Sequence, residues 1–175
     1  MDERTGMDGL VAQAQKGDRG AMDRLVCEHY ARVYRFCARR VGEAAGQDAA
    51  QETFVTMVKS IGKYAGRSSF PTWLLGVANR TCMALARKRR LEPMPLEAWH
   101  DGGTDTESAA IDRVALAQAL RSLSPEHREV VVMHEVEGLR YAEIAEILDV
   151  PEGTVKSRLH HAFLNMRKQL VGGGQ

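Results

Sequence analysis

The chain has 175 residues, 44% hydrophobic and 27% charged, with a formal net charge of +1, enough to bury one modest core or two small ones. No apolar run approaches the roughly 20 residues of a membrane span, and the opening MDERTGMDGL lacks the basic-then-apolar order of a signal peptide, so a cytoplasmic protein with no membrane insertion of its own is expected. Three cysteines, Cys27, Cys37 and Cys82, without a CxxC pair suggest neither a disulfide framework nor a zinc knuckle, and they read as small buried apolar residues.

Apolar residues recur at steps of three and four almost throughout, and no period-two run is convincing, so an all-α fold is expected. Asp18 is placed to cap a helix over about Arg19 to Val41, in which Leu25, Val26, His29, Val33 and Cys37 keep one face, and Gly42 is placed to end it. Asp48 lies near the start of the next helix, where Val55, Val58 and Ile61 continue the pattern. Ser69 precedes Phe70-Pro71-Thr72-Trp73-Leu74, with proline in a first turn, and that helix runs to the basic cluster Arg87-Lys88-Arg89-Arg90. LEPMPLEAWHDGGTDTES, Leu91 to Ser108, has two prolines, two glycines and no base, and reads as a flexible acidic linker. Helices resume near Ala109, Ser124-Pro125 opens another, and Gly138 closes it. The organisation expected is two small helical domains, residues 1–90 and 109–175, joined by the linker 91–108.

The last 40 residues carry the sharpest pattern. A helix from about Tyr141 to Leu148, a turn around Asp149 and Val150, and a second helix from Pro151 have the spacing of a helix-turn-helix, with the small Ala145 where the helices cross. Val155, Leu159, Phe163, Met166 and Leu170 are expected to form one buried stripe, leaving Glu152, Lys156 and His160 on another face, beside Ser157, Arg158 and His161. Pro151 suits a helix start, and Gly153 leaves the first turn without a bulky side chain, so a phosphate backbone can come close.

The near-neutral total hides a segregation of charge. Residues 1–90 hold 16 Lys and Arg against 9 Asp and Glu, residues 91–112 hold none against 6, and residues 113–175 hold 8 against 8, with the four bases Lys156, Arg158, Arg167 and Lys168 after the last acid. A basic first part, an acidic connector and a basic tail suggest two nucleic-acid contacts on a tether.

YAEIAEILDVPEGTVKSRLHHA, preceded by LSPEHREVVVMHEVEGL, resembles the fourth conserved region of bacterial sigma-70 factors of the extracytoplasmic-function group. AQKGDRGAMDRLVCEHYARVYRFCARR, DAAQETFV and SSFPTWLLGVANR resemble the second region of the same group, so the resemblance covers about Leu10 to Leu170. It implies an alternative sigma factor that directs promoter-specific initiation, with core RNA polymerase, promoter DNA and an anti-sigma factor as partners. By that resemblance Asp48, Gln51, Glu52 and Phe54 dock on core polymerase. Tyr64, Ser68, Ser69, Asn79, Arg80, Arg87, Lys88 and Arg89 serve the melted −10 element, with Tyr64 to Phe70 as the loop that captures an unstacked base. Glu152, Gly153, Thr154, Lys156, Ser157, Arg158 and His160 serve the −35 element. Read from the residues alone, Tyr64, Phe70 and Trp73 equally suit a core, Asn79 a helix-surface amide, and the cluster 87–90 a solvated helix end.

The chain departs from the family pattern in three places. Gln47-Asp48-Ala49-Ala50 stands where an acid-acid-aliphatic pattern is common, Pro71 where arginine is usual, and Arg140 where Ser or Thr often caps, which leaves Glu143 with half of a capping box. No GxxxxGK[ST], nucleophile motif or carboxylate cluster at helical spacing occurs, so no enzyme is expected. Of the six histidines only His160-His161 are adjacent, and neighbouring helix positions do not converge on one metal, so neither metal nor cofactor is expected. A self-sufficient helix-turn-helix regulator would explain the C-terminal half and leave Asp48 to Arg90 without a role.

Overall fold

A computed structural model describes residues 3–89 and 115–172, and every regular element among them is helical. The chain divides into two compact units, within residues 1–98 and 99–175. The linker Leu91 to Ser108, Arg90 and the helix start near Ala109 lie outside the described residues.

The first unit holds α1 (Glu3–Gln15), α2 (Arg19–Val41), α3 (Glu43–Ser60), a 3-10 turn (Ile61–Lys63) and α4 (Phe70–Arg89). Asp18 Oδ1 accepts the Ala21 N–H at 2.9 Å, which starts α2 as its sequence position suggests. Gly42, at φ 82°, ends α2 by donating its N–H to Ala38 O and immediately becomes the N-cap of α3. Small residues then let the two helices approach closely. A Cβ on Gly46 would lie 2.5 Å from Ala38 Cα, and Ala45, Ala49, Ala50 and Thr53 complete the buried face of α3. Val55 and Val58, expected inside, are therefore turned outward, 44% and 50% exposed. Leu25, Val33, Phe36, Met57, Leu74 and Leu75 fill the space between α2, α3 and α4.

The cysteines separate into two kinds. Cys37 on α2 and Cys82 on α4 are buried against each other, and their hydrogen bond, then burial, pushes the Cys37 thiol up. Cys27 is exposed, contrary to the expectation that all three are interior, because its position on α2 faces away from α3 and α4.

In the second unit a helical segment over 115–121, α5, leads to α6 (Pro125–Val131), whose N-cap Ser124 accepts the His127 N–H at 3.3 Å. Arg128 reaches back from α6, donating to Leu120 O, Arg121 O and Leu123 O at 2.9, 3.1 and 3.1 Å, and so satisfies carbonyls at the end of α5. A π turn over Val132–Val136, not foreseen from the sequence, widens the end of α6 before Gly138, at φ 66°, closes it. Helices α7 (Tyr141–Leu148) and α8 (Glu152–Gly172) follow. Glu143 accepts from the Arg140 N–H at 3.0 Å and from its Nε at 3.2 Å, which is the half of the capping box that an arginine leaves available. Asp149 takes the left-handed conformation at φ 55°, and Val150 N–H returns to Ala145 O, so the turn ends α7 without glycine.

The buried stripe of α8 is Val155, Leu159, Ala162 and Met166, not the expected series through Phe163 and Leu170. Phe163 and Leu170 are 41% and 49% exposed. At about 100° per residue, Phe163 and Leu170 sit roughly 80° and 60° round the helix from Val155, while Ala162 and Met166 stay within about 20° of it. Among the described residues no helix is long and apolar enough to cross a membrane.

Candidate functional site

Residues 64–69 join the 3-10 turn to α4 and form one wall of a cleft of about 800 Å³, opposite α1. The half-buried Tyr64 donates its hydroxyl to Ser68 O at 2.6 Å. Its ring lies 5.7 Å edge-on to Phe70 and 5.3 Å from Trp73, and Phe70 also meets His29 at 5.4 Å. Phe70 is 2% exposed and belongs to the core, whereas Tyr64 and Trp73 lie at its edge. Ser69 is spent on structure, with Oγ 2.8 Å from Thr72 Oγ1 and accepting the Thr72 N–H as N-cap of α4. Burial beneath this cluster lowers the His29 pKa, and its Nε2 has no hydrogen-bond partner among the described residues.

A second groove, of about 520 Å³, runs between α3 and α4. Asp48 and Glu52 line one side, Arg80 and Lys88 the other, with Val77 and Leu85 between them. Residues assigned to two different partners by resemblance thus share one groove. Gln51 is exposed on α3, and Arg87 is exposed near the end of α4, its Nε 3.4 Å from Met83 O. Arg89 belongs to α4, but its side chain lies outside the described residues. Asn79 is no surface amide. It is 3% exposed, with Nδ2 directed at Met83 Sδ at 3.8 Å. Phe54 is likewise 7% exposed, its ring 5.9 Å from Tyr30. The apolar residue that shares the outward face of Asp48, Gln51 and Glu52 is Val55, three and four positions on from Glu52 and Gln51, which the sequence pattern had assigned to the interior. The run of Ala, Gly and Thr on the opposite face was the signal that would have turned it outward.

Helix α8 presents its start to solvent. Pro151 O accepts the Thr154 and Val155 N–H groups at 2.9 and 3.3 Å, so Pro151 is the N-cap and the helix begins one residue later than expected. A Cβ on the exposed Gly153 would meet nothing within 4 Å. Glu152 Oε1 and Lys156 Nζ are 2.8 Å apart, and that hydrogen bond raises the Lys156 pKa, so the ammonium stays charged. Ser157 and His160 are exposed on the same side, while Thr154 and Arg158 are half-buried towards its flanks. His161 donates Nδ1–H to Ser157 O at 2.8 Å and stacks on His127 at 6.3 Å. Among the described residues no group of three or more His, Cys, Asp or Glu is arranged to hold a metal.

Two family models match this chain, sigma-70 region 2 over residues 25–92 and sigma-70 region 4 over residues 113–166. The chain is 31% identical over 177 residues to the ECF RNA polymerase sigma-E factors of Salmonella typhimurium and Escherichia coli, with 93% of each chain covered. It is 32% identical over 187 residues to the ECF sigma factor SigE of Mycolicibacterium smegmatis, covering 97% of this chain and 69% of that one. Its fold is similar to that of CnrH in complex with the cytosolic domain of CnrY, with a TM-score of 0.64 and 22% identity over 95% of this chain and 97% of that one. It is similar also to RpoE in complex with the anti-sigma factor NepR from Bartonella quintana, with a TM-score of 0.62 and 18% identity over 87% and 98% of the two chains.

Proposed function

Because the chain belongs to the extracytoplasmic-function group of sigma-70 factors, we propose that it docks on core RNA polymerase through α3, reads the −35 element as duplex with α8, and captures the melted −10 strand at the 64–70 loop. As a sigma factor it is a non-catalytic initiation factor that directs transcription. Residues 1–90 then carry core binding and −10 recognition, residues 109–175 carry −35 recognition, and the acidic stretch 91–108 tethers them in the cytoplasm.

The single observation behind the duplex-reading role is the start of α8. An uncrowded first turn, with Gly153 facing open space, lets the helix N-terminus approach a phosphate, while Glu152, Lys156 and His160 reach outward from a core that does not depend on them. The Glu152–Lys156 pair is solvent-exposed and holds the ammonium only weakly, so a guanine edge can take it over. Arg158 stands nearer the flank and suits a phosphate. At the −10 element, unstacking a base costs a few kcal/mol, which the cleft beside Tyr64, Arg67 and Ser68 can offset by stacking and backbone contacts.

Asp48 and Glu52, with Gln51 and Val55 on the same outward side of α3, offer acids around an apolar residue and suit a basic helical partner. A neighbouring fold, that of RpoE from Bartonella quintana, has been solved in complex with an anti-sigma factor, and the same mode of control is proposed here. Co-elution with core polymerase tests the reading. The unaltered protein is expected to co-elute and to shift the start sites used, and charge reversal at Asp48 or Glu52 is expected to weaken co-elution with helicity unchanged. Absence of co-elution by the unaltered protein would refute it.

A further inference from the structure

The cleft beside the 64–70 loop has a second wall, to whose residues the family resemblance gives no role. Helix α1 contributes Met7, Asp8, Val11, Ala12 and Gln15 to its lining. Gln15 does more than line it. Its Nε2 donates to Ile61 O at 3.0 Å and to Tyr64 O at 2.8 Å, spanning 46 and 49 residues of sequence. Those carbonyls open and follow the 3-10 turn, and Ile61 O also accepts the Tyr64 N–H at 3.0 Å. One carboxamide therefore holds both ends of the turn that launches the loop. From Tyr64 the restraint continues through its hydroxyl to Ser68 O, and the next residue, Ser69, caps α4.

We infer that Gln15 is a positioning residue for −10 recognition: from α1 it fixes the Tyr64 backbone, and through Tyr64 the shape of the loop that receives the unstacked base. The inference rests on the proposed role of that loop. Two fixed donors are needed because the backbone between Tyr64 and Ser69 includes Gly66 at φ 68° and has no regular hydrogen-bonded ladder of its own. A loop held in its receiving shape binds without the ordering cost that a free one must meet.

The test uses full-length protein with core polymerase on a promoter library randomised at the −10 and −35 elements, read by base preference and by the rate of strand opening. Gln15→Ala is expected to slow opening and flatten −10 preference on the order of tenfold, from the loss of two hydrogen bonds, with −35 preference and core affinity unchanged. Gln15→Glu, which keeps the shape but turns an acceptor towards two carbonyls, is expected to be at least as impaired. Gln15→Lys restores a donor of similar reach and is expected to recover most of the loss. A library in which the unaltered protein selects no −10 bases would overturn the loop's role and this inference with it. A −10 preference that survives Gln15→Ala, or a uniform decline at both elements with a lowered midpoint, would overturn the inference alone.

Discussion

The two units build their interiors from different materials. Every buried polar or charged side chain among the described residues, His29, Arg40, Thr53, Thr72 and Asn79, belongs to the first unit, which also holds the aromatic cluster of Tyr64, Phe70 and Trp73. Among its described residues the second unit buries only Ala, Val, Leu, Ile and Met, around Val130, Val132, Met133, Ile144, Val155 and Leu159. The difference follows from where each proposed contact is made. A loop and cleft must be shaped from beneath, so the first unit's core and its binding surface share residues. A helix that reads a groove needs only a rigid back, so in the second unit core and surface separate.

The strongest test of that separation removes Phe70. Phe70→Ala empties a nearly fully buried site below the loop and is expected to destabilise the first unit by about 3–5 kcal/mol while also impairing −10 strand capture, seen as an earlier melting transition together with slower promoter opening. In the second unit the two readouts are expected to part. Lys156→Ala is expected to relax preference at one or two −35 positions by about 1–3 kcal/mol of discrimination, and Arg158→Ala to weaken all sites and flatten salt dependence, neither moving the thermal midpoint appreciably. Library selection and salt-titrated binding measure this. If Lys156→Ala lowered stability as much as specificity, the separation would be lost.

Two smaller effects sharpen the contrast. Arg140→Ser completes the capping box with Glu143 and is expected to stabilise the second unit by about 1 kcal/mol without changing promoter choice, as thermal melting and transcription would show. In the first unit, burial holds the His29 pKa below its ordinary 6.5, opposed by Glu28 and reinforced by Arg32. The unfolded chain therefore takes up the proton first as pH falls below about 6.5, so stability present at pH 7.5 is lost on acidification. Melting between pH 7.5 and 5.5 is expected to show that loss, and His29→Leu to reduce it.

Much of this was legible in the sequence wherever a single residue sets a local conformation. Asp18, Gly42, Ser124 with Pro125, and Gly138 each act through a cap or a φ value that needs no tertiary information. What escaped depended on neighbours. Val55 and Val58 read as interior because valine is apolar, yet α3 turns its small residues Ala45, Gly46, Ala49 and Ala50 inward, with Gly46 pressed against Ala38 of α2. Phe163 outranked Ala162 by size although Ala162 lies nearer the centre of the buried stripe. Phe54 and Asn79 were assigned outward roles by motif position, and both turn inward. The α1 wall of the cleft escaped because Gln15 meets Ile61 and Tyr64 only through the fold.

One chain is proposed to carry two promoter-reading surfaces and to deliver them to core polymerase. Transcription by core enzyme with and without the protein, from a library randomised across both elements, measures this directly. The expected result is start sites that depend on the added protein and a recovered motif with two separate blocks, the upstream one altered by Lys156→Ala and left intact by Phe70→Ala. Start sites that do not change on addition of the protein, or a single recovered block that responds to both substitutions, would contradict it.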